Sequence, residues 1–263
     1  MENIRYLDLT RTSLLSGGVP PQLGNLSKLR HLGLGFMPDM YSTDISWLTH
    51  LQQLEYLHME RVNLNTVTDW PLVVNMIPSL KVLNLRGCSL QSANQSLAHL
   101  NLTKLEELLM ELFLSSNCIL LVLGGIKYLS LDGTYLDGPF PDALGAMTSL
   151  QELYFSENGN LATMTVDLKN LCELRLLLLA DSLSNGNITE FIDKLPKCSS
   201  STLTILSLDD NNITEELPNM MEHLTSLEWL ALVNNSISGT ISPSVLNLTS
   251  LESLLLSLNR LTS

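Results

Sequence analysis

The stretch Leu227-Glu228-Trp229-Leu230-Ala231-Leu232-Val233-Asn234-Asn235-Ser236-Ile237-Ser238-Gly239-Thr240-Ile241-Ser242-Pro243 decides how this chain folds. Leu230-x-Leu232 alternates as a short strand with one buried face. Asn235 follows, where the chain leaves the strand. Its amide both donates and accepts, so it can satisfy backbone groups of a neighbouring coil that burial would otherwise leave unpaired. Gly239 and Pro243 are turn residues that steer the chain round an outer side. The apolar frame Leu-x-x-Leu-x-Leu returns at Ile4, Leu29, Leu54, Leu80, Leu105, Ile126, Leu150, Leu174, Leu203, Leu227 and Leu251. The intervals are 25, 25, 26, 25, 21, 24, 24, 29, 24 and 24 residues. One such unit cannot bury its own apolar face. Stacked units bury each other's, which makes a quasi-one-dimensional solenoid with one parallel sheet along its inner side.

Period and internal pattern together are those of leucine-rich repeats. The reading is an α/β repeat solenoid, a horseshoe or superhelix of about ten to eleven units with its parallel sheet on the concave face. Residues 1–104 hold the first four units, 105–125 an irregular or truncated one, and 126–263 the remainder, the last incomplete, all in one continuous array. Asn158, Asn211 and Asn259 share the place of Asn235; Cys88 holds it in its own unit and reads as a free buried thiol.

The pattern breaks in two places. After Leu105, Leu108 and Met110, Phe113 falls where Asn is expected, and a second register, Leu109, Leu112, Leu114 and Asn117, fits better. Either the coil is shortened there or residues have been deleted. The unit from Leu174 to Leu203 is long, with the excess near Asn185-Gly186-Asn187 or Cys198, and a surface bulge is expected.

More narrowly, Gly18-Val19-Pro20 with Leu23-Gly24-Asn25-Leu26-Ser27, and Gly138-Pro139-Phe140-Pro141 with Leu144-Gly145-Ala146-Met147-Thr148, resemble the plant extracellular class of these repeats. Its consensus runs Asn-x-Leu-x-Gly-x-Ile-Pro-x-x-Leu-Gly-Asn-Leu-Thr. The segments Met40 to Leu51 and Leu195-Pro196-Lys197-Cys198 are similar to receptor-like proteins of the disease-resistance, ethylene-inducing-xylanase receptor type. The resemblance implies a plasma-membrane receptor facing outward, a protein or peptide ligand, and a partner receptor kinase. It also implies a cysteine-paired cap before the first repeat. Here the first repeat begins at Ile4 and the last stops at Ser263, so the sequence reads as a fragment.

Composition narrows the function. Hydrophobic residues make up 45% and aromatic ones 5%, so the core is aliphatic. A net charge of −13 with no Lys/Arg cluster argues against nucleic acid. The start, Met1-Glu2-Asn3-Ile4-Arg5-Tyr6, is not a signal peptide. The most apolar run, Cys118 to Ile126, is far short of the ~20 residues of a membrane span, so this segment makes no membrane contact itself. No phosphate-binding loop, zinc-protease helix, nucleophile elbow or kinase signature is present, so neither an enzyme, a cofactor nor a metal is expected. Asp209-Asp210 reads as a strand edge, and Glu215-Glu216 as a solvated outer-loop pair.

Cys172 and Cys198 lie one unit apart on the same edge, which fits either a disulfide or two small buried thiols. Sequons stand at Asn25, Asn94, Asn101, Asn187, Asn212, Asn234 and Asn247; Asn234, beside the ladder position, is expected to be poorly accessible. Ligand contacts are expected on outward strand positions: Tyr6, His31, Tyr56, His58, Arg86, Tyr128, Tyr154 and Trp229, the aromatic ones forming a track. Leu176 and Leu178 are unusual on that face and mark either an apolar contact patch or a local misfit. The favoured function is a recognition ectodomain in plant defence signalling. The alternatives are a secreted inhibitor of a cell-wall-degrading enzyme and a non-functional remnant of a receptor gene.

Overall fold

A computed structural model describes residues 3–90, 102–111, 125–135, 137–199, 202–218, 221, 223–241 and 243–262. They fall into two compact units, an N-terminal one through Glu111 with Gly125 and Ile126, and a C-terminal one from Lys127 onward.

In the N-terminal unit, the described strands are β1 (Tyr6–Asp8), β2 (His31–Gly33), β3 (Tyr56–His58), β4 (Val82–Leu85) and β5 (Glu107–Met110), each parallel to the next. In the C-terminal unit they are β6 (Tyr128–Ser130), β7 (Glu152–Tyr154), β8 (Leu176–Leu178), β9 (Ile205–Ser207), β10 (Trp229–Ala231) and β11 (Ser253–Leu255), again parallel. Register follows the repeat. Leu7, Leu32, Leu57, Leu83 and Leu108 are successive partners in one unit. Leu129, Leu153, Leu177, Leu206, Leu230 and Leu254 are partners in the other. Each buried leucine of this kind contributes about 1.5–3 kcal/mol by leaving water. A second device holds the coils together. Arg5 O accepts the amides of Arg30 and His31, Arg30 O those of Glu55 and Tyr56, and Thr204 O those of Glu228 and Trp229.

Position 1 of a coil is the first apolar residue of its frame. Position 8 then has positive φ in every coil where it is described: Arg11, Phe36, Arg61, Gly87, Gly133, Glu157, Asp181, Asp210, Asn234 and Leu258. One left-handed residue ends each strand and turns the chain outward, a conformation only glycine adopts without steric cost. Asn235 and its equivalents are therefore the residue after the turn.

Three expectations need correction. Through Met110 the frame at Leu105 is the first register: Leu105, Leu108 and Met110 are buried, and Leu83 faces Leu108 while Leu85 faces Met110. Leu109 is half-buried on the sheet face beside Asn84, so it does not open a new frame. The leucines of β4 offer their apolar side in that one phase only, and a slip of one residue would reverse every side chain. Leu112, Phe113, Leu114 and Asn117 lie outside the described residues. Near Asn185-Gly186-Asn187 the long coil from Leu174 does not bulge; residues 200 and 201, just after Cys198, lie outside the described residues. That coil winds its outer side into a helix, as the coil from Leu54 does into α1 (Trp70–Asn75); this second helix, α2 (Ile188–Lys194), buries Ile188, Phe191 and Ile192. Asn187 starts α2 by accepting the amides of Thr189 and Glu190 on its side-chain oxygen, at 2.8 and 3.3 Å. Glu215 and Glu216 likewise lie not in a loop but in an outer strand, Ile213–Glu216.

Candidate functional site: the strand faces

Short parallel strands place equivalent residues side by side at about 4.8 Å, close to the thickness of stacked rings. In the N-terminal unit position 3 holds Tyr6, His31 and Tyr56. Their rings stack with centroids 4.0 and 4.1 Å apart and planes 15° and 6° from parallel. Tyr6 ends the stack 64% exposed. Burial between the tyrosines lowers the His31 pKa, against the opposing pull of the Asp8 carboxylate. Burial likewise raises the Tyr56 phenol. Asp8 is itself held ionised by hydrogen bonds from Thr10. At position 5 His58 Nε2 lies 3.3 Å from Glu60 Oε2, which also accepts from Asn84 Nδ2 at 3.0 Å. Arg86, half-buried on the same face, donates its backbone amide to Asn84 Oδ1.

The left-handed position adds residues that pattern reading misses. Its φ lifts the side chain onto the rim of the sheet. There the Arg11 and Arg61 guanidiniums lie 5.0 and 5.2 Å from the Phe36 ring centroid. Phe36 also meets His58 edge-on at 6.1 Å. A spacing of 25 residues between Arg11, Phe36 and Arg61 was the available signal.

The C-terminal unit arranges the same positions differently. Tyr128 and Tyr154 pair with centroids 4.9 Å apart, and the Tyr154 hydroxyl donates to Glu152 Oε2 at 2.9 Å. Burial, then that carboxylate, raises the Tyr154 pKa. Trp229 does not continue this pair. Two strands bearing Leu176 and Ile205 separate it from Glu152, so position 3 reads Tyr128, Glu152, Leu176, Ile205, Trp229. Trp229 is 43% exposed, and Leu176, Leu178 and Ile205 are half-buried. The expected aromatic track is therefore interrupted by aliphatic side chains within this unit. On the rim stand Glu157, Asp181 and Asp210. Asp209, one position inward, accepts the Val233 amide at 2.7 Å.

Residues 202–224 match the Leucine Rich Repeat family model. The fold is that of the solved plant peptide hormone receptor RGFR1 in complex with RGF2, with a TM-score of 0.67 at 21% identity over 99% of this chain and 45% of that one. This chain has the leucine-rich-repeat fold. Among curated proteins the repeats are similar to Receptor-like protein EIX1 of Solanum lycopersicum, 38% identical over 100 residues, or 38% of this chain and 9% of the relative. They are also similar to Receptor-like protein 39 of Arabidopsis thaliana, 29% identical over 88% of this chain and 26% of the relative. The chain thus spans less than a third of either curated relative.

The outer side of the repeats carries the remaining sequence candidates. Cys172 and Cys198 are joined as a disulfide with Cα atoms 5.7 Å apart, fastening the segment after α2 to the preceding coil. Cys88 is free and fully buried; its thiol donates to Met59 O, and burial pushes its pKa up to about 12. Asn25, Asn212 and Asn247 are exposed, and Asn187 is half-buried at the start of α2. Asn234 is exposed rather than shielded, because as the left-handed residue it points off the rim, with Nδ2 donating to Asp210 at 2.8 Å. Asn94 and Asn101 lie outside the described residues. A pocket of about 210 Å³ opens on this side beside α2, lined by Thr163, Asn185, Glu190 and Lys194 among others. Among the described residues no group of His, Cys, Asp and Glu is placed to hold a metal, and no helix is long and apolar enough to cross a membrane.

Proposed function

We propose that this segment is the recognition part of a plant receptor-like protein, and that its strand faces bind a protein or peptide ligand. The observation that carries the reading is the division of each strand. Its inward residues pack into the core, while its outward residues present aromatic and aliphatic side chains in register: Tyr6, His31 and Tyr56 in one unit, Leu176, Ile205 and Trp229 in the other. Rigid rings at fixed spacing bind with little loss of side-chain freedom, which is why Tyr and Trp dominate interface energetics. The likeness to receptor-like proteins supports a receptor context on the outer side of the plasma membrane. The finer reading is defence signalling, relayed by a partner receptor kinase, with glycans on the exposed Asn25, Asn212 and Asn247. The signalling part rests on the resemblance of Met40 to Leu51 and Leu195 to Cys198 to disease-resistance receptor-like proteins, and the glycans on the sequons and their exposure.

Ligands selected on the immobilised chain from a random-peptide display library provide the test. Truncating a strand-face ring, Tyr56→Ala or Trp229→Ala, is expected to weaken those bound to that unit by roughly tenfold or more. Truncating exposed outer residues, Tyr41→Ala or Leu161→Ala, is expected to change nothing. The reverse pattern places recognition on the outer side and rejects the proposal.

A further inference from the structure

The strand face of the C-terminal unit is two rows with different chemistry. Leu176, Ile205 and Trp229 are hydrogen-bonded neighbours and form a continuous apolar row, widened by Leu178 on the same strand as Leu176. At the left-handed position stand Glu157, Asp181 and Asp210 from three successive coils, two of which also carry Leu176 and Ile205; in the coil of Trp229 that position is Asn234. None of these three carboxylates has an ion-pair partner among the described residues; the ion pairs of this unit gather instead around Lys169, Asp193 and Lys197. The whole unit is acidic. Residues 127–263 hold 6 Lys and Arg against 17 Asp and Glu, whereas residues 1–126 hold 8 against 10.

We propose that this face takes an extended peptide segment that combines apolar side chains with Lys or Arg, the apolar ones on the Leu176–Ile205–Trp229 row and the basic ones on the Glu157–Asp181–Asp210 row. The proposal rests on the strand-face reading above and names the partner for one of its two faces. Three carboxylates without an ion-pair partner among the described residues repel each other and an acidic partner alike; the Asn234 amide that Asp210 accepts carries no charge to offset this. A basic segment removes that repulsion while its apolar residues cover the exposed tryptophan. The N-terminal unit is the internal contrast: its rim bears Arg11 and Arg61 at the same backbone position.

A random dodecapeptide library panned on the whole chain, followed by calorimetry on synthetic copies of the enriched sequences, tests this. The expected peptides carry several Lys or Arg beside Leu, Ile or aromatic residues. Trp229→Ala weakens them roughly 30-fold, the size of an aromatic hot spot. The pair Asp181→Asn and Asp210→Asn, both at surface positions that leave the core untouched, weakens them roughly tenfold and flattens their salt dependence. Tyr56→Ala leaves them unchanged. Peptides on this face that are acidic or uncharged overturn the proposal. Peptides lost with Tyr56→Ala but not with Trp229→Ala also overturn it, and leave the strand-face function standing. Binding that no strand-face substitution alters overturns both.

Discussion

Position 9 of the coil that begins at Leu54 is Val62; in the coil that begins at Leu203 it is Asn211. Apart from one threonine in each, the two units differ at this place. The N-terminal one has Thr12, Met37, Val62 and Cys88, and the C-terminal one has Thr134, Asn158, Ser182, Asn211, Asn235 and Asn259. The backbone answers in kind. The amides of Thr12, Val62 and Cys88 close locally onto Leu9, Met59 and Leu85, three residues back. In the C-terminal unit the closure runs between coils. Asn211 Oδ1 accepts the amides of Ser182 and Leu183 at 3.0 and 2.6 Å, while its Nδ2 donates to Leu179 O and Leu208 O at 2.9 and 2.8 Å. Asn235 and Asn259 repeat the arrangement one coil on. The same backbone turn can thus be closed within a coil or between coils, and the asparagines make the second a set of amide bonds between neighbouring repeats.

Exchanging the two solutions should break both. Asn211→Val leaves two buried amides and two carbonyls short of partners and is expected to cost roughly 3–4 kcal/mol in urea denaturation followed by circular dichroism. A loss below about 1 kcal/mol would mean that water or the backbone replaces the rung. Removing the Cys172–Cys198 bridge with paired alanines should cost about 3 kcal/mol by freeing the enclosed loop in the unfolded chain. Unchanged stability would show that the bridge adds no constraint. The converse graft, Val62→Asn, offers a buried amide to groups already bonded locally. It should cost about 2 kcal/mol, whereas a gain would show that local closure yields readily to a ladder.

The smallest effect is expected at Cys88. Burial holds its pKa near 12, against 9.0 for the free thiol. Its folded pKa is raised, so its contribution is complete below about pH 9 and is lost as pH rises toward 12. Cys88→Ala should remove that part of the alkaline slope, and the native thiol should resist maleimide at neutral pH. Rapid labelling at Cys88 itself, located by peptide mass spectrometry and distinguished from labelling at Cys118, would contradict its burial.

Much of this was legible in the sequence. Buried leucines need a fixed phase, so the frames from Leu29 to Leu227 and the Asn ladder can be read by spacing alone. The rim was not. Its left-handed residues include Arg, Phe, Gly, Glu, Asp, Asn and Leu, because the turn constrains the backbone and leaves the side chain free. The Arg11–Phe36–Arg61 sandwich therefore has no type signature, only a period. Helix α2 was also hidden, since a few added residues on the outer side of a coil can bulge or wind. Asn187 as the cap, with Ile188, Phe191 and Ile192 on one face, decides for winding. The interruption of the aromatic track followed from counting positions: Tyr154 stands at position 5 of its coil and Trp229 at position 3.

The central claim, recognition through the strand faces, is tested most directly by placing bulk there. Asp8→Asn makes a sequon with Thr10, and Tyr154→Asn makes one with Ser156, one wedge on the strand face of each unit. The chain would be expressed in a glycosylating host, with occupancy read by mass spectrometry. Binding of the selected peptides is then compared with that of a variant lacking the outer sequons at two sites, Asn25→Gln with Asn247→Gln. The account predicts that each peptide is lost with one of the two wedges and kept when the outer sequons are removed. Peptides that still bind with both wedges occupied would contradict it.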